Sequence, residues 1–174
     1  TLELDVLRAL DFGSWRDRDD DTERPDQLDA DNYTVLTLER LLELVVDTSR
    51  PLEVAIETKH PTRFAGMVER RLVDVLNRFD LAGPSSTQTA SVRVMSFSEV
   101  ALRRARRLAP ELPLVLLMER VPVSYRRGTL PRGVGIAGPS IGVLRSHPRY
   151  PQRVRSQGHQ VYVWTVDEPL DVEL

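Results

Sequence analysis

The sequence predicts an α/β fold in which short parallel strands alternate with helices. Segments rich in β-forming residues begin near residues 52, 92, 114, 134 and 160, and helical patterns fill the intervals between them. Such alternation is typical of parallel β/α units. With 174 residues, 41% hydrophobic and 29% charged, the composition suits a single domain over residues 1–174 with a sizeable core.

The amino-terminal part contains two helical patterns separated by an acidic segment. Residues 1–10 have a loose helical spacing of apolar side chains. Residues 16–31 carry eight acidic residues and almost no apolar ones, which predicts a solvated loop. A calcium site is the alternative, but the Asp-x-Asp-x-Asp-Gly order of a calcium loop is missing. A second helix is expected from Thr37, a candidate N-cap, to Val46.

The rest of the chain alternates between strand and helix. The strand over 52–57 places Val54 and Ile56 on one face and Ala55 and Glu57 on the other. A helix over 64–79 follows, with an inward face formed by Met67, Val68, Leu72, Val75, Leu76 and Phe79. Further strands are expected over 92–97, 114–118, 134–137 and 160–166, and further helices over 98–108, 140–147, 152–157 and 168–174.

Two parallel architectures fit this order of elements, an open doubly wound sheet and a closed barrel of eight β/α units. No glycine-rich phosphate loop follows any of the expected strands, which disfavours a nucleotide-binding open sheet. A closed barrel usually takes about 250 residues, whereas this chain supplies five convincing strands. We therefore expect a barrel that is incomplete at both ends.

Charge and composition exclude several classes of partner. A net charge of -2 and a pI near 5.9 give no general attraction to nucleic acid or to an anionic membrane. Four arginines between residues 103 and 107 are expected on a solvated helix face, opposite Val100, Ala101, Leu102 and Leu108. No apolar stretch is long enough to span a membrane. We expect a cytoplasmic protein, with secretion left open, because the absence of cysteine does not settle the compartment.

Lys59 is the single lysine among 24 basic residues, and it follows Glu57 by two positions. Side chains at i and i+2 of a strand share a face, so both should project from the carboxyl end of the strand. A carboxylate and an ammonium in this arrangement can hold a metal ion and a phosphate side by side. An exposed ion pair without function is the alternative.

Five segments, in order, resemble the glycerophosphodiester phosphodiesterase family, whose members are (β/α) TIM barrels. The segments are 1–15, with its leucine, aspartate, glycine, serine and tryptophan cluster, 35–42, 54–59, 94–98 and 161–167. The third ends in glutamate, any residue and lysine, as the corresponding barrel strand of the family does. Each motif is weak alone, but their order and spacing together are fairly specific, and the resemblance spans the whole chain.

The resemblance implies that Glu57 is a ligand of a divalent metal, Mg²⁺ or Ca²⁺, and that Lys59 contacts the substrate phosphate. Trp164 and Phe97 would be walls of the substrate pocket. The implied reaction is metal-assisted hydrolysis of a small-molecule glycerophosphodiester to glycerol 3-phosphate and an alcohol. Asp167 stands where the family commonly has asparagine, so no role is carried over to it.

Other parts of the family pattern have no counterpart in this sequence. The histidine-arginine-glycine and glutamate-x-aspartate motifs are missing, and His60, His147 and His159 all follow the strand that carries Glu57. We therefore assign no catalytic residue and expect the chain by itself to be an inactive part of an enzyme. Two alternatives stay open: a non-catalytic barrel remnant that binds a partner, and a glycosidase with Glu57 and Asp167 as its carboxylates.

Overall fold

The computed structural model describes residues 3–12, 33–60, 64, 66–83 and 90–172. The predicted acidic loop over 16–31 lies outside these residues. The chain divides into two compact units, Thr1–Leu44 and Val45–Leu174.

The first unit contains helix α1, Leu4–Arg8, and most of helix α2, Leu38–Val46. The N-cap predicted for α2 is confirmed, because Thr37 Oγ1 accepts a hydrogen bond from the Arg40 N–H at 3.3 Å. Helix α1 is shorter than predicted and has no buried residue.

The second unit is a five-stranded parallel sheet with α-helices between successive strands, except between β3 and β4, where the connection contains only a 3-10 turn. The strands are β1 Leu52–Glu57, β2 Ala90–Ser96, β3 Leu114–Met118, β4 Ile136–Pro139 and β5 Gln160–Val161. The helices are α3 Met67–Arg78, α4 Glu99–Leu108, α5 Ile141–Ser146, α6 Tyr150–Ser156 and α7 Pro169–Val172, with a 3-10 turn at Val123–Tyr125. The predicted α/β class is confirmed.

The strand order of the sheet is β1-β2-β3-β4-β5, the same as the order along the chain. A doubly wound sheet reverses its strand order at a switch point, whereas neighbouring strands of a barrel follow the chain. The order therefore favours the barrel among the two predicted architectures.

The core lies on both faces of β3, the central strand, in which every residue is buried. Helix α4 packs on β2 and β3 through Ala101, Leu102 and Ala105, which are all buried. On another part of the sheet, Val115, Leu117 and Ile136 form a buried cluster, and Met95 and Trp164 pack against it. Alternating residues of β3 thus contribute to different layers.

The prediction that β5 runs to residue 166 is wrong, because regular pairing ends at Val161. The Tyr162 N–H still donates to the Ala137 carbonyl at 2.8 Å. In a parallel ladder the next bond would come from the N–H of Pro139, which proline lacks. Pairing resumes as an isolated bridge between Ser140 and Trp164.

Two predicted helix faces also differ from the structure. Met67, predicted inward on α3, has 63% of its surface exposed, whereas Glu69 is completely buried. On α4, Val100 and Leu108 are exposed, while Arg104 is half-buried. The burial of Glu69 and Arg104 has one physical reason, because Arg104 on α4 reaches the buried carboxylate of Glu69 on α3.

Candidate functional site at the carboxyl ends of the strands

The carboxyl ends of parallel strands meet at one edge of the sheet, and ligand sites of β/α proteins lie there. Glu57 is the last residue of β1, and Phe97 follows β2 directly. Trp164 pairs with Ser140, which follows β4. Three of the four predicted site residues therefore leave the sheet at this edge, and Lys59 follows Glu57 by two residues.

Glu57 and Lys59 are brought together as their spacing predicts. Lys59 Nζ lies 3.4 Å from Glu57 Oε2 and 3.5 Å from Oε1. The lysine side chain is 85% exposed and the glutamate side chain 27% exposed. Because an ion pair this exposed contributes little to stability, the lysine can leave the carboxylate and turn toward an anion at low cost.

Phe97 and Trp164 form an aromatic pair. Their ring centroids are 5.5 Å apart and the rings are inclined by 89°, an edge-to-face arrangement. Trp164 Nε1–H donates to the Gly138 carbonyl at 2.7 Å, which fixes the indole, whereas Phe97 is exposed. The pair presents an apolar surface at the edge of the sheet where Glu57 ends its strand.

A single hydroxyl connects the chain segments that carry Lys59 and Phe97. Ser96 Oγ–H donates to the Thr58 carbonyl at 2.9 Å, and the same oxygen accepts the Ser98 N–H at 3.1 Å. The Thr58 N–H donates to the Met95 carbonyl at 2.9 Å. Both Thr58 and Ser96 are buried, so these bonds hold the ends of β1 and β2 together without competition from water.

Sequence reasoning missed a buried polar cluster behind Lys59, formed by His60, Glu69 and Arg104. Glu69 Oε1 lies 3.5 Å from His60 Nε2 and 3.4 Å from Arg104 Nη1. Glu69 Oε2 accepts the Gly66 N–H at 2.9 Å. One signal was present, since glutamate at the third position of a helix often caps the helix start. Nothing in the local pattern indicated the pairing with Arg104.

The chemistry of Glu57 fits one ligand of a hard divalent cation. Within the described ranges, no group of three histidine, aspartate or glutamate side chains converges as a metal cluster. Mg²⁺ is commonly bound through one or two carboxylates, with waters and substrate phosphate oxygens completing its shell. The partly exposed carboxylate of Glu57, beside the exposed ammonium of Lys59, suits that mode of binding.

A pocket with a volume of about 690 Å³ lies elsewhere, beside α4 and the connection that precedes β4. Its lining includes Arg103, Arg107 and Tyr125. Burial and the neighbouring Glu99 carboxylate raise the pKa of Tyr125 above its ordinary value. Arg106 donates to the Pro110 and Gly133 carbonyls. The sequence had predicted that all four arginines of α4 lie on a solvated face. Arg104 and Arg106 instead bond to other parts of the protein.

The remaining histidines do not join Glu57. His147 ends α5, where its Nδ1 lies 3.0 Å from Ser146 Oγ. His159 precedes β5, so it belongs to the opposite edge of the sheet. Within the described part of the chain, no helix has the length and apolarity that crossing a bilayer requires.

Comparison with known proteins relates the whole chain to one family. The model of the glycerophosphoryl diester phosphodiesterase family matches residues 1–174. A protein of Mycobacterium tuberculosis described as a probable glycerophosphodiester phosphodiesterase 1 is 39% identical over 173 residues, which cover 99% of this chain and 61% of that protein. The glycerophosphodiester phosphodiesterase of Bacillus subtilis is 29% identical over 171 residues, covering 95% of this chain and 55% of that protein.

Solved structures agree on the fold. A glycerophosphodiester phosphodiesterase from Parabacteroides distasonis superposes with a TM-score of 0.72 at 20% identity, covering 99% of this chain and 62% of that one. An Oleispira antarctica phosphodiesterase, solved with its product sn-glycerol-3-phosphate, gives 0.74 at 18% identity, covering 98% and 62%.

The chain thus spans about three fifths of the length of these relatives. Its five parallel β/α units correspond to part of a TIM barrel. The match along all 174 residues and the shared barrel fold lead to one conclusion: this chain belongs to the glycerophosphoryl diester phosphodiesterase family.

Proposed function

We propose that the protein containing this chain hydrolyses glycerophosphodiesters to glycerol 3-phosphate and an alcohol, with a divalent metal ion bound. The observation that carries the proposal is the placement of Glu57 and Lys59, 3.4 Å apart, at the carboxyl end of β1. Membership of the family supports the reaction class. The product bound to the Oleispira antarctica relative supports glycerol 3-phosphate as the product of that enzyme, and we extend it to this protein.

In this proposal Glu57 holds the cation, Mg²⁺ or Ca²⁺, through its carboxylate oxygens. When bound, such a cation polarises phosphoryl oxygens and stabilises the charge that develops on them. Lys59 leaves Glu57 and donates to a non-bridging phosphate oxygen, so the negative charge of the transition state gains a second cationic partner. The high exposure of Lys59 is consistent with that movement.

Phe97 and Trp164 provide the apolar wall for the glycerol or alcohol group of the substrate. Their edge-to-face packing presents ring surface rather than polar atoms, which favours the carbon backbone of the substrate and excludes water. We assign no proton transfer to the described residues, because His60 faces Glu69 and not the exposed edge. We therefore expect residues 1–174 alone to be inactive.

The test compares three variants of the full-length protein. Glu57→Gln should raise the metal concentration needed for half-maximal activity, because it removes a charged ligand. Lys59→Ala should lower kcat/KM by about 100-fold, the usual cost of losing one donor to a developing oxyanion. Glu53→Gln is the matched control, since Glu53 lies on the same strand face but pairs with Arg93.

Steady-state hydrolysis of glycerophosphocholine with titrated Mg²⁺ or Ca²⁺ gives both quantities. Normal kinetics in Glu57→Gln and Lys59→Ala would contradict the site assignment. A full-length protein that binds no metal and hydrolyses no glycerophosphodiester would instead support the non-catalytic binding module.

A further inference from the structure

Lys59 is an exposed residue between two buried neighbours. Thr58 is 4% exposed, and the His60 side chain is 10% exposed, whereas the Lys59 side chain is 85% exposed. The residues on both sides of Lys59 are therefore packed in the protein, while the lysine side chain projects into solvent. A long side chain with four rotatable bonds can be placed accurately only if its backbone is fixed.

On one side, Thr58 is held by β2 through the Met95 carbonyl and the Ser96 hydroxyl. On the other side, His60 lies against the completely buried carboxylate of Glu69. His60 Nε2 is buried and has no hydrogen-bond partner among the described residues. Its polar neighbour is Glu69 Oε1, at 3.5 Å. The imidazole thus faces α3 and not the exposed edge of the sheet.

The Glu69 carboxylate also holds the far end of the same connection. Its Oε2 accepts the Gly66 N–H, and Gly66 immediately precedes α3. Both ends of the connection from β1 to α3 therefore contact the Glu69 side chain, His60 through a 3.5 Å approach and Gly66 through a hydrogen bond. Arg104 on α4 supplies a cation to this carboxylate, which would otherwise be buried without charge compensation.

We propose that His60, Glu69 and Arg104 are positioning residues that fix the backbone of Lys59 so that its ammonium reaches the substrate phosphate. The inference rests on the proposed function for its kinetic consequence. Its structural part, the anchoring of His60 by Glu69, stands independently of that function.

The structural part is tested by amide hydrogen exchange in the full-length protein. Glu69→Gln keeps the shape of the side chain but loses the charge, and Arg104→Gln removes the half-exposed partner. Both should speed exchange at the amide of Thr58, whose N–H donates to the Met95 carbonyl directly before Lys59, and leave the amides of β3 unchanged. Arg107→Gln is the matched control, since Arg107 lies on the same helix and is exposed.

The kinetic part is tested by a double-mutant cycle with Lys59→Ala. His60→Gln, Glu69→Gln and Arg104→Gln should each lower kcat/KM by about 10-fold, below the roughly 100-fold that a 1 Å misplacement can cost. The metal concentration for half-maximal activity should stay unchanged, because Glu57 is held within β1. In the Lys59→Ala background the same substitutions should have no further effect, because they act through the lysine.

Each result bears on a different claim. Unchanged exchange at the Thr58 amide in folded Glu69→Gln and Arg104→Gln proteins would overturn the anchoring, whatever the kinetics. Losses that add fully to that of Lys59→Ala would overturn the positioning role. Faster exchange together with normal kinetics in Lys59→Ala would keep the anchor and overturn the proposed function. If Glu69→Gln does not fold, Arg104→Gln alone decides both tests.

Discussion

Phe97 and Trp164 contact each other, but they differ in how much each contributes to the stability of the fold. Trp164 is tied to the Gly138 carbonyl and packs on the buried cluster of the sheet, so it supports the fold. Phe97 is 46% exposed and touches Trp164 edge-on, so it supports little besides that contact. The exposed ring is therefore the one whose removal should affect ligand binding more than stability.

Replacing Phe97 with alanine should raise KM for glycerophosphocholine by about 2- to 10-fold, because the variant loses apolar contact between the exposed ring and the carbon groups of the substrate, a loss of about 0.8 kcal/mol for each methylene no longer covered. The melting temperature should change little. Trp164→Phe should lower the free energy of unfolding by about 1 kcal/mol through loss of the bond to Gly138. Steady-state kinetics and thermal unfolding separate the two effects, and a large drop in melting temperature for Phe97→Ala would refute this division.

The residues of the site differ in how far the sequence could predict them. The pairing of Glu57 and Lys59 was predictable, because the Thr58 N–H continues the ladder past the end of β1 and the two-residue spacing still places both side chains on one face. Glu69 was not, because its burial depends on Arg104, which is 35 positions away. The hydrophobic pattern of α3 predicts that a glutamate is solvated, because the pattern carries no information about a partner on another helix.

Among the secondary-structure elements, the turn after the 3-10 helix packs unusually close to α6. Gly128 has φ of +89°, and a Cβ at this position would lie 2.3 Å from the Arg153 carbonyl oxygen. Such a distance is far inside van der Waals contact, and the obstacle is backbone, which cannot rotate away. Only glycine allows the connection between β3 and β4 to lie against α6 in this way.

Gly128→Ala should therefore lower the free energy of unfolding by about 3 kcal/mol or more, combining left-handed backbone strain with overpacking. Gly158→Ala is the matched control, because Gly158 also has a positive φ, +80°, but nothing lies within 4 Å of its added Cβ. That variant should lose only about 1–2 kcal/mol. Chemical denaturation of both proteins measures the difference, and equal losses would mean that the turn moves away from α6.

The elements themselves were mostly predictable from hydrophobic pattern, but their ends were not. Ser98 caps α4 as its residue type suggests, with Oγ accepting the Ala101 N–H at 3.3 Å. The end of β5 is decided by Pro139 on another strand, so no pattern within 160–166 could reveal it. Likewise β4 begins at Ile136 and not at Val134, whose N–H closes a turn on the Pro131 carbonyl.

At the scale of the second unit, the burial of each strand should govern its local stability. β3 is buried along its whole length, whereas β1 alternates between exposed and partly buried residues and β5 has no buried residue. Amides of β3 should therefore exchange slowest, through global unfolding, and those of β1 and β5 faster, through local opening. Hydrogen exchange followed by mass spectrometry gives the order, and faster exchange in β3 than in β1 would contradict it.

The alternation of strands and helices predicted the parallel sheet, and the order of the strands then followed from short connections. The partition of the chain into Thr1–Leu44 and Val45–Leu174 was not predicted. It depends on which residues make contacts across the chain, and composition, which is compatible with one domain, carries no such information.

The shared hydroxyl of Ser96 has a consequence for substrate choice. Because one oxygen binds the chain beside Lys59 and the chain beside Phe97, the two segments leave the sheet at a set separation. In the proposed site, that separation sets the distance between the ammonium of Lys59, which would contact the phosphate, and the ring of Phe97, which would contact the carbon groups of the substrate. A family member with a different residue at the position of Ser96 would then hold these two side chains at a different distance and favour substrates of a different length.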